Sequence, residues 1–215
     1  MVKTHRFSDD YDWANNPKNH ILISQAILDY WPNVSEIVYS KEHSKEDRSG
    51  VDCTVYFNDN TSTTIDYKIR RSYYDDILLE EWSNCHFNWQ SKQVIKGNSI
   101  GWALDESKSC EWILYAKIPP NKQPEFYFYR FNLLLNAFKS NITTWKNSSK
   151  CFYPKAAFNH KYTTVSIAVP HDILDNAIAI EEQKEIEFLN SLNSGFNQSY
   201  IDIDNYIYSQ EMIFV

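Results

Sequence analysis

The chain has 215 residues, 43% of them hydrophobic and 16% aromatic, and a formal net charge of −7. This length suits one domain and is short for two. The negative charge argues against a protein that coats DNA by bulk electrostatics, although a local basic groove remains compatible with it. With only four glycines, Gly-rich phosphate loops are nearly excluded. The opening MVKTHRFSDDYDW has no apolar core of the kind a signal peptide needs, and no apolar run is long enough to span a membrane. A cytoplasmic protein that does not engage a membrane is expected. Cys53, Cys85, Cys110 and Cys151 are scattered without a C-x-x-C pair, which predicts reduced, packed thiols rather than a zinc site.

Asn15-Asn16-Pro17 reads as a helix start, and Ile21, Leu22, Ile27 and Tyr30 then recur at helical spacing up to Trp31-Pro32. Residues 35–40 alternate as a short strand, and 41–50 form a charged loop. Residues 51–57 and 61–70 are rich in β-branched and aromatic side chains around the turn cluster Asn58-Asp59-Asn60, which predicts a hairpin. Residues 74–82 (YDDILLEEW) read as a helix, and 83–102 as loop with some helix. Two strands follow at 111–118 and 125–131, around Pro-Pro-Asn. Residues 132–140 are expected to be helical, 162–169 a strand, and 171–180 a helix opened by Pro170 and continued by the acidic run 181–187. The tail from Ser191 alternates apolar residues through Tyr200-Ile201-Asp202-Ile203, as a late strand or an interaction segment would.

The hairpin carries the chemistry. If Asn58, Asp59 and Asn60 form a three-residue loop, Phe57 lies opposite Thr61 and Asp52 opposite Asp66, with Cβ atoms about 5 Å apart. Strand alternation puts Lys68 and Arg70 on the face of Asp66, and Cys53, Val55, Phe57, Ile65, Tyr67 and Ile69 on the other. A one-residue slip in register would separate the aspartates. Like charges directly opposite in a ladder repel, and a divalent cation between them removes the repulsion through hard oxygen ligands. On this reading Asp66→Asn relieves the repulsion and leaves the metal-free protein at least as stable. Lys68 is placed to hold an attacking water or offset charge building on a phosphate.

Asp52 followed by Asp66-Tyr67-Lys68 on the next strand resembles the D…(D/E)-x-K signature of the PD-(D/E)xK nuclease superfamily. The order helix, strand, hairpin, helix also resembles that family's core, and K-I-R-R-x-Y-Y-D-D-I-L-L-E-E-W-S (68–83) resembles uncharacterised phage and bacterial members. The resemblance implies an α/β (mixed α+β) domain over 1–215 with a restriction-endonuclease-like core, a central mixed β-sheet flanked by helices. That core covers about 15–120, with an elaboration over about 121–215. It implies that Asp52, Asp66 and the main-chain carbonyl of Tyr67 bind Mg²⁺ (or Mn²⁺), and that Asp52, Asp66 and Lys68 are catalytic. The activity implied is phosphodiester hydrolysis in nucleic acid, with DNA the expected substrate. Val51 stands where the signature has Pro, and the first helix offers only Gln25 and Asp29 where many members carry a Glu.

Arg70 and Arg71 are candidate phosphate contacts, and Lys92 and Lys96, near Trp89 and Trp102, a candidate groove wall with stacking aromatics. The plainer reading of each is a solvated cation beside packed aromatics. Glu80 and Glu81 read as acids on the surface of the expected helix. Asp202 and Asp204 match a calcium loop only superficially, and Asn159-His160 lacks the second histidine that an HNH nuclease needs. The alternative function is a catalytically silent nuclease-fold module that binds nucleic acid or a protein partner. The apolar C-terminal tail offers a surface for a homodimer under either reading.

Overall fold

The computed structural model describes residues 16–41, 44–71, 74–159 and 162–195. The protein is mixed α/β, with two sheets and helices packed against them. Helix α1 (Pro17–Tyr30) starts as expected: Asn16 Oδ1 accepts from the Lys18 N–H at 3.0 Å, and Pro17 sits in the first turn. It buries Ile23, Ala26 and Ile27. Strands β1 (Val34–Tyr39), β2 (Cys53–Phe57) and β3 (Ser62–Arg70) form an antiparallel meander. The one-turn helix α2 (Lys45–Arg48), capped by Ser44, interrupts the charged loop between β1 and β2.

The first sheet continues through β6 (Trp112–Lys117), parallel to β3, and β7 (Glu125–Arg130), antiparallel to β6. One face of it receives α1. Cys53, Val55, Ile65, Leu114, Ala116 and Ile118 pack there against Ile23 and Ile27. Tyr30 stacks on Phe128 with ring centroids 4.0 Å apart. Each fully buried isoleucine in this layer contributes roughly 1.5–3 kcal/mol. The opposite face carries Asp66, Lys68, Arg70, Ile113, Tyr115 and Lys117, by strand alternation.

That second face meets strands as well as helices, and a strand stands where residues 74–82 were expected to be helical. Residues 74–82 belong to β4 (Asp76–Asn88), which pairs with β5 (Gln93–Ile100), so the region read as loop is also sheet. Ile77, Leu79 and Glu81 are buried at strand spacing. The run Ile77-Leu78-Leu79 is apolar on both faces, so its periodicity could not separate strand from helix. A short 3-10 turn (Trp102–Leu104) is all the helix found there. The crossover from β3 to β6 therefore runs through β4 and β5, and the order expected from the resemblance departs after the hairpin.

Helix α3 (Phe131–Lys146), strand β8 (Phe152–Asn159), strand β9 (Tyr162–Pro170) and helix α4 (His171–Gly195) complete the described residues. Strand β8 was not foreseen, and α3 and α4 run beyond their expected ends. The second sheet has the order β5-β4-β9-β8. Its Ile77, Leu79, Ile167 and Val169 share one core with Tyr115 and Tyr129 of the first sheet, with Leu134, Ala137, Phe138 and Trp145 of α3, and with Leu174 and Ala177 of α4. All four cysteines are free and buried, as expected. The strand reading over 200–203, Asp202, Asp204 and His160 lie outside the described residues. Among the described residues, no helix is long and apolar enough to cross a membrane.

The N-terminal end of β4 has no strand partner on one side, and side chains of the first sheet satisfy it. The Leu78 N–H donates to the Tyr115 hydroxyl at 3.1 Å, and the Asp76 carbonyl accepts from Arg70 at 3.2 Å. This docking brings Glu80 over the Lys68 face. Gly101, after β5, makes it possible. Its N–H donates to the Glu81 carbonyl at 2.8 Å, and a Cβ there would run into the Glu80 carbonyl group. Gly101→Ala is expected to lower unfolding free energy by about 1–3 kcal/mol through overpacking of backbone against backbone, measured by denaturant melts.

Candidate metal centre

Strands β2 and β3 pair in the register the sequence predicts: Cys53 opposite Ile65, Thr54 opposite Thr64, Val55 opposite Thr63. The turn that fixes this register closes with the Phe57 N–H donating to the Thr61 carbonyl at 3.0 Å, and Asn60 takes the left-handed conformation at φ 65°. One residue beyond β2, the Asp52 N–H donates to the Ile65 carbonyl at 2.8 Å, and the Asp52 carboxyl comes within hydrogen-bonding reach of Asp66. There the β2 backbone leaves the sheet. The Asp52 carboxylate replaces it and accepts from the Tyr67 N–H at 2.8 Å. On packing grounds alone, Asp52 thus has a structural role as the cap of an interrupted ladder.

The direction of the Tyr67 carbonyl follows from the same ladder. Thr64 and Arg70 offer their carbonyls toward the β6 side, to the N–H groups of Glu111 and Ile118. Ile65 and Tyr67 address the β2 side. Because a strand residue's N–H and C=O point to the same neighbour, the Tyr67 carbonyl opens into the gap beside Asp52.

Asp66 is 1% exposed, and two ammonium groups hold its carboxylate. Lys68 Nζ donates to Oδ1 at 2.5 Å, and Lys108 Nζ donates to Oδ2. Burial alone would raise the Asp66 pKa. The charges and hydrogen bonds of Lys68 and Lys108 outweigh it and bring it below the usual value. Asp52 goes the other way. Burial, then the Asp66 charge, pushes it up to about 7 against the pull of Lys68 and the Tyr67 N–H. When Asp52 is protonated, its hydroxyl donates to Asp66. For Lys68, burial would lower the pKa, and Asp66, Asp52 and Glu80 together raise it above its ordinary value. Glu80 is lifted to about 7 by burial, opposed by Lys68, the Trp102 N–H and Lys108. The Lys68 ammonium also lies 5.8 Å from the centre of the Trp102 ring.

The donor set suits a hard divalent ion. Asp52, Asp66 and the Tyr67 carbonyl are hard oxygen donors, and Mg²⁺ commonly takes only one or two protein carboxylates and keeps several waters. Among the described residues, no three His, Cys, Asp or Glu side chains group closely enough to hold one ion. Glu80 approaches the lysines rather than completing an acidic triad.

The remaining candidates lie elsewhere or are engaged. Arg70 pairs with Asp76 and rests on the Tyr74 ring at 4.9 Å, turned toward β4. Arg71 is exposed just past β3. Lys92 and Lys96 line a cleft of about 440 Å³ with Glu81, Trp82, Lys146 and Tyr153, and that lining includes none of Asp52, Asp66 or Lys68. Trp102 is at Lys68, while Trp89 packs on Phe87 with centroids 5.0 Å apart. Lys92 and Lys96 line that cleft without Trp89 or Trp102. Glu81 is buried against Lys146 rather than exposed on a helix. Sequence reasoning missed Lys108 altogether. It sits in the polar stretch Asp105-Glu106-Ser107-Lys108-Ser109, where nothing local marks it.

Comparison of the chain with protein-family models, curated proteins and solved structures finds no match.

The stability of the metal-free protein should carry the signature of this site. Asp52 and Glu80 have folded pKa values raised above those of the unfolded chain, so the folded state binds more protons. Their contribution to stability therefore falls as pH rises from the ordinary carboxylate range to about 7. Asp66, with its lowered pKa, stabilises above the ordinary range and loses that contribution only in stronger acid. Melts in EDTA between about pH 5 and pH 8 should show Asp52→Asn gaining on wild type with pH, by on the order of 1–2 kcal/mol. The asparagine Oδ1 still accepts from Tyr67. Asp66→Asn should instead destabilise by about 3–5 kcal/mol, because it strands two ammonium groups around a buried position. That reverses the sequence expectation for Asp66→Asn. Equal effects of the two variants would refute the asymmetry.

Proposed function

We propose that the protein is a metal-dependent nuclease of the PD-(D/E)xK type with a restriction-endonuclease-like core, hydrolysing phosphodiester bonds in nucleic acid, with DNA the favoured substrate. The observation that carries the reading is the placement of Asp52 beside Asp66 across the β2–β3 hairpin, with Lys68 bonded to Asp66 from the same face. Asp52, Asp66 and the Tyr67 carbonyl would hold Mg²⁺ or Mn²⁺. Such an ion supplies an activated water and a counter-charge for the phosphate at neutral pH.

The chain's own residues do the rest. Asp66, held by two ammonium groups, stays ionised and fixed in orientation. Lys68 keeps its proton, and its ammonium, now on Asp66 Oδ1, is the cation that would meet a phosphate oxygen. The Trp102 ring lies beside that ammonium, its centre 5.8 Å away. The α1 layer behind β3 buries the odd-numbered face and prevents a register slip that would separate Asp52 from Asp66.

A specific observation favours a second reading. Both Asp66 oxygens already carry lysines, and among the described residues no third acid joins the pair. A catalytically silent module on the same framework, binding nucleic acid or a protein partner, accommodates that charge balance without a metal.

Purified protein incubated with plasmid, linear and single-stranded nucleic acid in Mg²⁺, Mn²⁺ or EDTA separates the two readings. The nuclease reading expects metal-dependent products, lost by about a hundredfold or more in Lys68→Ala and Asp66→Asn, and Lys68→Ala should melt as a folded protein. Wild-type cleavage by folded Lys68→Ala would make the motif a coincidence. Binding without cleavage in any metal would leave the silent module.

A further inference from the structure

Asp66 has two cations where its position on β3 requires one, and they differ in kind. Lys68 reaches Oδ1 from two residues along the same strand, and its side chain is 30% exposed. Lys108 reaches Oδ2 from a loop 42 residues away, and its side chain is 10% exposed. That loop is anchored to two other segments and braced by one turn of its own. The Ser109 N–H donates to the Ser49 carbonyl at 2.9 Å, the Thr64 hydroxyl donates to the Ser109 carbonyl at 3.2 Å, and Asp105 Oδ1 accepts from the Ser107 N–H at 3.0 Å. Gly50, at φ 76°, leaves the channel through which the Lys108 stem passes, because a Cβ there would collide with Nζ and crowd Cγ. Lys68 is the more exposed of the two. Lys108 is walled in.

We propose that Lys108 is a resident positioning cation that keeps divalent-metal affinity low in the free protein, so that the ion is held firmly only when a phosphate group joins it. The proposal rests on the metal reading of Asp52 and Asp66. An ion held by Asp52 and Asp66 would compete with the Lys68 ammonium for the Asp66 carboxylate. Lys108 stays on Oδ2, one carboxylate away from a doubly charged ion, and the two repel in a poorly hydrated site. An arriving phosphate brings negative charge to both the ion and Lys68 and restores the balance. Metal and phosphate binding are then linked reciprocally.

The test is a titration of Mn²⁺ into wild type, Lys108→Met and Lys108→Arg, followed by calorimetry and without nucleic acid, with EDTA melts of each. Lys108→Met should bind Mn²⁺ at least about tenfold more tightly than wild type, although it melts lower in EDTA because a buried carboxylate has lost a partner. A variant that is less stable yet binds the ion more tightly is not what a merely damaged fold gives. Lys108→Arg should keep wild-type affinity. Gly50→Ala, which pushes Nζ out while leaving Lys108 in the chain, should shift affinity in the same direction as Lys108→Met. Repeating the titration with a short DNA duplex and Ca²⁺ should tighten the ion's binding to wild type more than to Lys108→Met. If wild type binds Mn²⁺ and Lys108→Met binds it equally or more weakly, the proposal is overturned while the metal reading stands. If neither protein binds Mn²⁺ at millimolar concentration, both fall. If Lys108→Met alone binds, the proposal holds and the wild-type protein is a metal site kept closed by its own lysine.

Discussion

The organisation of this protein depends on one buried carboxylate. Asp66 sits in the middle of a strand that is covered on both faces, and at 1% exposure it has almost no water to solvate its charge. An isolated ionised carboxylate in such a place would protonate or unfold its surroundings. Much of the local architecture works as compensation. Lys68 comes from the same strand, Lys108 arrives through a gap that Gly50 keeps open, and the loop carrying Lys108 is tied to residues 49 and 64. The neighbouring Asp52 receives less of this compensation and shows it in a raised pKa. The two aspartates therefore differ electrostatically although they face each other across one hairpin.

The same arrangement explains why β4 replaces the expected helix. The Lys68 face of the first sheet carries charge and hydroxyl groups that a helix surface with satisfied backbone could engage only through side chains. An unpaired strand edge offers backbone N–H and C=O groups as well, and Tyr115 and Arg70 use them. Once β4 lies there, its alternation turns Ile77 and Leu79 into the common core and brings Glu80 near the lysines. Glu81, at strand spacing with Ile77 and Leu79, is buried against Lys146 at the end of α3. The consequence for chemistry is an environment with acids on both sides of Lys68, which keeps it charged despite burial.

Where local rules decided structure, the sequence could be read directly. The Asn16-Pro17 start of α1, the Asn58-Asp59-Asn60 turn and the strand alternation of β2 and β3 rest on contacts between residues close along the chain. The placement of Asp52, Asp66 and Lys68 on one face followed from that turn and needed no tertiary information. Lys108 and the location of Glu80 could not be read this way. The segment around Lys108 resembles any solvated polar loop, and the acidic, leucine-rich segment 75–81 satisfies a helix as readily as a doubly buried strand.

The sequence by itself therefore determined the hairpin, its register and the facing aspartates, because a three-residue turn and a period of two leave one alignment that buries the apolar face. Only the tertiary structure decided how the buried charge is balanced. Compensation is Coulombic and acts through space, so a lysine 42 residues away and a strand from the second sheet can serve it as well as a neighbour on the same strand. Sequence spacing carries no record of that choice.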